Sequence, residues 1–529
     1  MQSTFTISSL VLSGALLPAL PAMTAPAPSA PVAPPTLIEA SVESLQRDME
    51  MGRATSLSLT RASLARIARL DKSGPRTNAV LTTNPDALSI SRALDAERKA
   101  GKVRGPLHGI PVLIKDNIDT ADRMMTTAGS LALVGPPAAR DAHIVKRLRD
   151  AGAVIIGKTN LSEWANIRSS KSSSGWSAVG GQTHNAYDTR RNPCGSSSGT
   201  GTAVALSYAV VGIGTETDGS IVCPSNMASL VGLKPTVGLV SRAGIIPISE
   251  SQDTAGPMTR SVVDAAIVLT AIAGVDANDA ATKGAASHIP KDYRSALEGG
   301  LGGMRIGVAR KKVTGYSVHA DALFEKAIAD LKRLGAVIVD PADFGSLGDY
   351  DEAELEVLLY ELKDGLNRYL ATRSGMPVRT LADVIAFNQK NAAREMPHFG
   401  QDLFEKAQAK GPLTDKTYIE AAARARKLAR EGIDSVLTQH RLDAIVAPTT
   451  SPPWLTDHVN GDSYSGSSSS PAAVAGYPAI TVPMGFYQGL PMGLSFVGTA
   501  WSEGKLLRAA YAYEQGTRHR RAPSLIRRP

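Results

Sequence analysis

Asn192-Pro-Cys-Gly-Ser-Ser-Ser-Gly-Thr-Gly201 opens a small-residue segment, 200–209, and is followed at once by Gly214-Thr-Glu-Thr-Asp-Gly-Ser220. The first stretch reads as a turn feeding a helix of Thr, Ala, Val and Gly, suited to close packing on a sheet. Residues 210–214 read as a buried strand delivering the chain into a second tight turn. Both turns combine glycines with hydroxyls, and glycine lets backbone N–H groups approach a ligand closely. Working outward, 109–115 and 153–157 are short apolar runs that read as buried strands. Residues 142–151 form an amphipathic helical pattern, 87–100 another, and 37–71 show helical periodicity up to a Ser73-Gly-Pro75 breaker. Residues 304–308, 444–447 and 479–482 read as further strands, and 349–440 turns helical. Strands alternating with helices predict an α/β fold: a single large domain whose mixed, mainly parallel central sheet is covered by helices on both faces.

The turns also carry candidate chemistry. A serine hydroxyl is a poor nucleophile until a base takes its proton. Lys115 ends the apolar run 109–115, and burial there disfavours the ammonium and lowers its pKa from roughly 10.4. Asp116 would oppose that shift, but strand alternation sends it to the opposite face. Taken singly, Lys115 reads as a surface residue and Ser196 as a turn serine; the ordered set of motifs overrides both readings. Gly195-Ser-Ser-Ser-Gly199 also spells a nucleophile elbow that would use Ser197 with His440 or His458, but that reading leaves Lys115 and Ser220 unexplained. The Gly-rich loop lacks a P-loop ending, and neither Cys194 nor Cys223 has a nearby His. No His/Cys/Asp cluster has metal-ligand spacing, so neither metal nor cofactor is expected.

These motifs together resemble the amidase signature hydrolases from about residue 37 to 522. The resemblance rests on Gly109-Ile-Pro-Val-Leu-Ile-Lys-Asp-Asn117, Gly195-Ser-Ser197, Gly219-Ser-Ile221, Gly232-Leu-Lys-Pro-Thr236, Ala475-Gly-Tyr-Pro-Ala-Ile-Thr-Val-Pro483 and Gly489-Leu-Pro-Met-Gly493. It implies Ser220 as nucleophile, Ser196 as bridging serine after a cis peptide bond, and Lys115 as base. It implies an oxyanion hole from the N–H groups of Thr217, Asp218, Gly219 and Ser220. Through Asn192-Pro-Cys-Gly-Ser-Ser-Ser198, Thr215-Glu-Thr-Asp-Gly-Ser-Ile-Val-Cys-Pro-Ser225 and Gly238-Leu-Val-Ser-Arg-Ala-Gly-Ile-Ile-Pro-Ile-Ser249 the chain is similar, within the family, to bacterial peptide amidases, which implies removal of the C-terminal amide of peptides. Asn166 and Asp218 are then candidate substrate contacts; for Asp218, capping the next turn is the alternative. A broad amidase for small aliphatic or aryl amides is the runner-up, and a peptide-binding protein of the same fold is the non-enzyme rival. A glutaminase subunit of a tRNA-dependent amidotransferase fits less well with an export signal.

Composition bounds the partners. The 529 residues carry a formal charge of +8, but Arg518, Arg520, Arg521, Arg527 and Arg528 supply five of those charges. The remaining +3 is no nucleic-acid footprint. Residues 1–22 hold no charged side chain, and an apolar run spans 7–20 before a Pro/Ala-rich stretch. This predicts a secretory signal over about 1–30, cleaved between about Ala22 and Ala30, and a periplasmic or secreted protein. The run is short for a transmembrane span, so no stable membrane insertion is expected. The catalytic domain is expected over 37–522 and a basic tail over 523–529. Export would permit a Cys194–Cys223 disulfide, but two buried free thiols fit equally well. The substrate is the one partner implied; the oligomeric state is left open.

Overall fold

Eleven strands share one sheet in the computed structural model, which describes residues 1–10, 12, 14 and 37–527. They are β1 (Val80–Thr83), β2 (Pro111–Lys115), β3 (Val154–Thr159), β4 (Val211–Glu216), β5 (Val231–Lys234), β6 (Thr254–Thr259), β7 (Arg305–Val308), β8 (Val337–Val339), β9 (Ala444–Pro448), β10 (Ala479–Tyr487) and β11 (Leu490–Val497). Their spatial order is β1-β3-β2-β4-β6-β5-β10-β11-β9-β7-β8. The sheet is mixed, with helices packed on both faces. Parallel pairing is confined to two runs, β3-β2-β4 and β9-β7-β8. Between them β4, β6, β5, β10, β11 and β9 pair antiparallel. Helical crossovers make the parallel runs. The antiparallel centre includes the hairpin β10–β11, whose two turn residues Gln488 and Gly489 have φ of 48° and 79°. That is the conformation of a type I′ turn.

Side-chain alternation divides the core. Val112 and Ile114 of β2, with Val211 and Ile213 of β4, enter the larger cluster under the helices Val42–Glu50, His143–Asp150, Val262–Ile272 and Glu503–Thr517. Leu113 faces the other side, with Ala203 and Val204 of α1 (Ser198–Ala205). Lys115 follows Leu113 in the alternation, at the end of its strand, towards the turn that carries Ser196. α1 lies close on β4 because a Cβ on Gly212 would meet Thr200 Cγ2 at 2.5 Å and one on Gly214 would meet Ser197 Oγ at 2.8 Å.

α2 (Val222–Met227) follows the Ser220 turn. Residues 351–440 contain α3 (Asp351–Thr372), α4 (Leu381–Lys390), Ala392–Glu395, Asp402–Gln408 and α5 (Lys416–His440). Leu359, Leu366 and Phe404 from this region pack with Trp164 and Ile167, next to the site described below. The 37–71 pattern is two helices, Val42–Glu50 and Ser56–Leu70, each opened by a capping box.

The described residues 37–527 form one compact unit. The described residues before them, 1–10, 12 and 14, carry no helix or strand. Most of the predicted leader, including its cleavage region, lies outside the described residues. Among the described residues no helix is long and apolar enough to cross a membrane.

Candidate active site

Lys115 is fully buried, and its Nζ lies 2.7 Å from Ser196 Oγ. The same Nζ donates to the Thr215 carbonyl at 3.2 Å and stands 2.8 Å from Thr215 Oγ1. A neutral amine has two N–H donors and one lone pair. As an ammonium Nζ donates in all three contacts; once neutral, it can keep both donors on Thr215 and accept from the Ser196 hydroxyl with its lone pair. Burial pushes the Lys115 pKa down to about 7, while Asp253 and Glu216 act in the opposite direction. Asp116 points elsewhere: its carboxylate accepts from the Thr127 N–H and hydroxyl, and Lys158 Nζ lies 3.9 Å from it.

Ser196 is fully buried and follows a cis Gly195–Ser196 peptide bond. Ser197 N–H donates to the Ser220 carbonyl at 3.2 Å, tying the two serine turns through the main chain. Cys194 and Cys223 form a disulfide with Cα atoms 6.0 Å apart, a second strap across the same turns. Among the described residues no hydrogen bond joins the Ser196 and Ser220 hydroxyls. Ser220 is 8% exposed, the most accessible of Lys115, Ser196 and Ser220.

Among the described residues the N–H groups of Thr217, Asp218, Gly219 and Ser220 donate to no backbone carbonyl outside the sheet ladders. Gly219 has φ +78°, and a Cβ there would meet Ser469 Oγ at 3.1 Å. The turn beyond Ser220 is capped by Glu216, not by Asp218. Glu216 Oε2 accepts from the Ile221 and Val222 N–H groups at 2.7 and 3.0 Å. Asp218 faces the other way, where the hydroxyl of Ser469 donates to one carboxylate oxygen and that of Ser470 to the other, the latter at 2.6 Å. The capping alternative for Asp218 is therefore corrected: the longer Glu216 side chain reaches back to those donors.

Asn166 stands beside the Ser196 turn, where a Cβ on Gly195 would meet its Nδ2 at 3.3 Å. Its Oδ1 is buried with no hydrogen-bond partner among the described residues, as is Oδ1 of Asn117. Asn117 Nδ2 donates to Thr215 Oγ1 at 2.9 Å. A narrow cavity beside them is lined by Asn117, Ala165, Ser196, Thr215, Thr217 and Asp253.

Thr215, Glu216, Asn117 and Asp253 are the site residues that sequence reasoning missed. Asp253 accepts the Thr217 hydroxyl at 2.6 Å and the Ile248 and Ser249 N–H groups at 2.8 and 2.9 Å. Burial pushes its pKa up to about 6. Three of these four lie inside stretches singled out for their neighbours; Asp253 lies outside every motif. Among the described residues no group of three or more His, Cys, Asp or Glu side chains could hold a metal ion.

The Amidase family profile matches residues 58–507. A probable amidase of Arabidopsis thaliana is 42% identical over 498 residues, covering 92% of each chain. The glutamyl-tRNA(Gln) amidotransferase of Myxococcus xanthus has one subunit that is 36% identical, covering 90% of this chain and 97% of its own. The crystal structure of the native peptide amidase from Stenotrophomonas maltophilia superposes with a TM-score of 0.88 at 55% identity, covering 92% of this chain and 99% of its own.

Proposed function

The chain belongs to the amidase family, and on that premise we propose that it removes the C-terminal amide of peptides, R–CO–NH2 + H2O giving R–COOH + NH3, through an acyl-Ser220 intermediate. The observation that carries the chemistry is the environment of Lys115: fully buried, its pKa pushed down to about 7, and its Nζ within hydrogen-bond distance of both Thr215 and Ser196 Oγ. Neutral Lys115 takes the Ser196 proton as Ser196 takes that of Ser220, and Ser220 Oγ attacks the amide carbon. Catalytic hydrogen bonds often tighten only with substrate bound, and the Ser220–Ser196 contact is assigned to that state. The N–H groups at 217–220 receive the developing oxyanion, each such donor being worth roughly 2.7–4 kcal/mol of barrier. The proton returns through Ser196 to the leaving nitrogen, which departs as ammonia. Water then repeats the sequence on the acyl-serine.

Support for a peptide amide, rather than a small one, comes from the 55% identity to the Stenotrophomonas maltophilia peptide amidase over 92% of this chain. In this reading Asn166 meets the substrate through an Oδ1 that has no partner among the described residues, and Asp218, whose two carboxylate oxygens are held by Ser469 and Ser470, meets it through its backbone N–H in the oxyanion hole. We further propose that residues 37–522 are the catalytic domain, followed by a basic tail, and that the protein is exported. The charge-free segment 1–22 with its apolar run supports export, as does the Cys194–Cys223 disulfide, which persists in oxidising compartments.

The test is ammonia release from a short peptide amide beside a simple aliphatic amide, with chelator present. Release from the peptide amide, with internal peptide bonds intact, is the expected result. Preference for the aliphatic amide would replace peptide specificity with broad amidase activity and keep the mechanism. No release from either would return the chain to a binding role.

A further inference from the structure

Trp164, Ala165 and Asn166 are three consecutive left-handed residues, with φ of 49°, 54° and 75°. Side chains bearing a Cβ disfavour this conformation, and such runs persist only where the surroundings over-determine them. The restraints lie on either side. Glu163 precedes the run and Arg168 follows it, and both are buried. Arg168 Nη1 pairs with Glu163 Oε1 at 2.8 Å and lies 3.9 Å from Glu395 Oε2. The same nitrogen donates to the Glu395 carbonyl, and Nη2 to the Phe399 carbonyl at 3.4 Å. The guanidinium also sits 4.2 Å over the Phe399 ring, and Phe404 N–H donates to the Arg168 carbonyl at 3.3 Å. Glu163 is held in turn by Ala178 N–H at 2.7 Å, and Glu395 by Leu131 N–H at 2.6 Å.

Arg168 therefore clasps the strained run to the 395–404 segment. Burying a cation between two carboxylates is a poor way to gain stability, since well-packed apolar residues often do as well. What the planar guanidinium supplies is several directional contacts at fixed angles, which a lysine ammonium does not reproduce. The run it fixes points at the site. Ala165 lines the same cavity as Ser196, and Asn166 places Nδ2 beside Gly195 with Oδ1 unpartnered.

We propose that Arg168 is a positioning residue for the amide substrate, holding the Asn166 carboxamide against the Ser196 turn by clasping Glu163 and the Glu395–Phe399 backbone. The proposal rests on the reading that Asn166 contacts substrate. It assigns the ion cluster a role in specificity without direct substrate contact.

The experiment measures kcat and KM for a peptide amide with R168M, R168K, E163Q, N166G and the N166G/R168M pair. Glycine at 166 keeps the left-handed backbone and removes only the carboxamide. R168M and R168K are expected to raise KM about tenfold, the scale of one lost hydrogen bond. Their kcat should stay within about threefold of wild type, on the view that Asn166 binds without reacting. The acid limb of the pH profile should not move. N166G should show the same KM rise, and R168M should add nothing to it. An unchanged KM in R168M, or an equal further rise in the N166G background, overturns the proposal. If R168M fails to fold, R168K and E163Q in the two backgrounds decide by the same criteria. A wild-type KM in N166G overturns both the proposal and the substrate contact of Asn166, while the Lys115, Ser196 and Ser220 variants judge the chemistry separately.

Discussion

Ser197 N–H donates to the Ser220 carbonyl oxygen at 3.2 Å, so the turn before α1 and the turn before α2 are bound to each other by main-chain atoms. The hydroxyls that face the chemistry take no part in this tie. Replacing them leaves the scaffold in place. S196A, S220A and K115M are each expected to fold with near-wild-type circular dichroism and to lose about 10³-fold or more in kcat/KM, the scale of losing a nucleophile or its base. Ammonia release is the readout, and residual activity near wild type in S220A would remove Ser220 as nucleophile.

The pH dependence has a definite sign. Lys115 acts when neutral, so kcat/KM should rise with pH through a midpoint of about 7 and fall away below it. K115R, whose guanidinium stays protonated, should be inactive throughout. The negative charge of Asp253 raises the Lys115 pKa, so D253N should move the midpoint down. A midpoint that moves up in D253N would contradict this electrostatic picture.

Reduction should loosen the site. Cys194 and Cys223 are separated by 29 residues. By loop-closure entropy, joining them stabilises the fold by about 3.5 kcal/mol. Dithiothreitol, or the C194S/C223S pair, should lower the unfolding midpoint in denaturant. An unchanged midpoint would mean that the reduced chain holds the two turns together unaided.

G219A tests the oxyanion turn. A left-handed φ of +78° disfavours alanine by roughly 1–2 kcal/mol, and its Cβ would press on Ser469 Oγ. The turn should shift and kcat should fall about 10²-fold, as for loss of one oxyanion donor. A loss confined to KM would place Gly219 outside the oxyanion hole.

Much of this was legible because the decisive residues lie in short motifs where one physical demand dominates. An apolar run ending in Lys115 reads as a buried amine, and the glycines at 214–220 read as a tight turn with backbone N–H groups open to a ligand. Asp253 was not legible, since what places it at the site is its contact with the Thr217 hydroxyl, 36 residues earlier in the chain, which only folding brings about. Glu216 was in view, but spacing alone does not say which carboxylate reaches back to Ile221. Two central strands, β6 and β11, were obscured by their own residues. β6 contains Pro257 opposite Ile213, and proline ordinarily argues against an interior strand. β11 contains Pro491 and Gly493 and lacks the helical crossover that marks the parallel runs.

The order of pairing in the sheet sets a timetable. Lys115, Ser196 and Ser220 are all made in the first half of the chain, on or beside β2, α1 and α2. Yet β5 has only β6 on one side until β10 arrives, with Lys234 paired to Ala479. The C-terminal hairpin is the keystone joining β5 to β9. Contacts so distant along the chain form late. A nascent chain halted before about residue 479 would hold Lys115, Ser196 and Ser220 and still have a sheet in two unjoined halves. Hydrolytic competence would then arrive only when synthesis is almost finished.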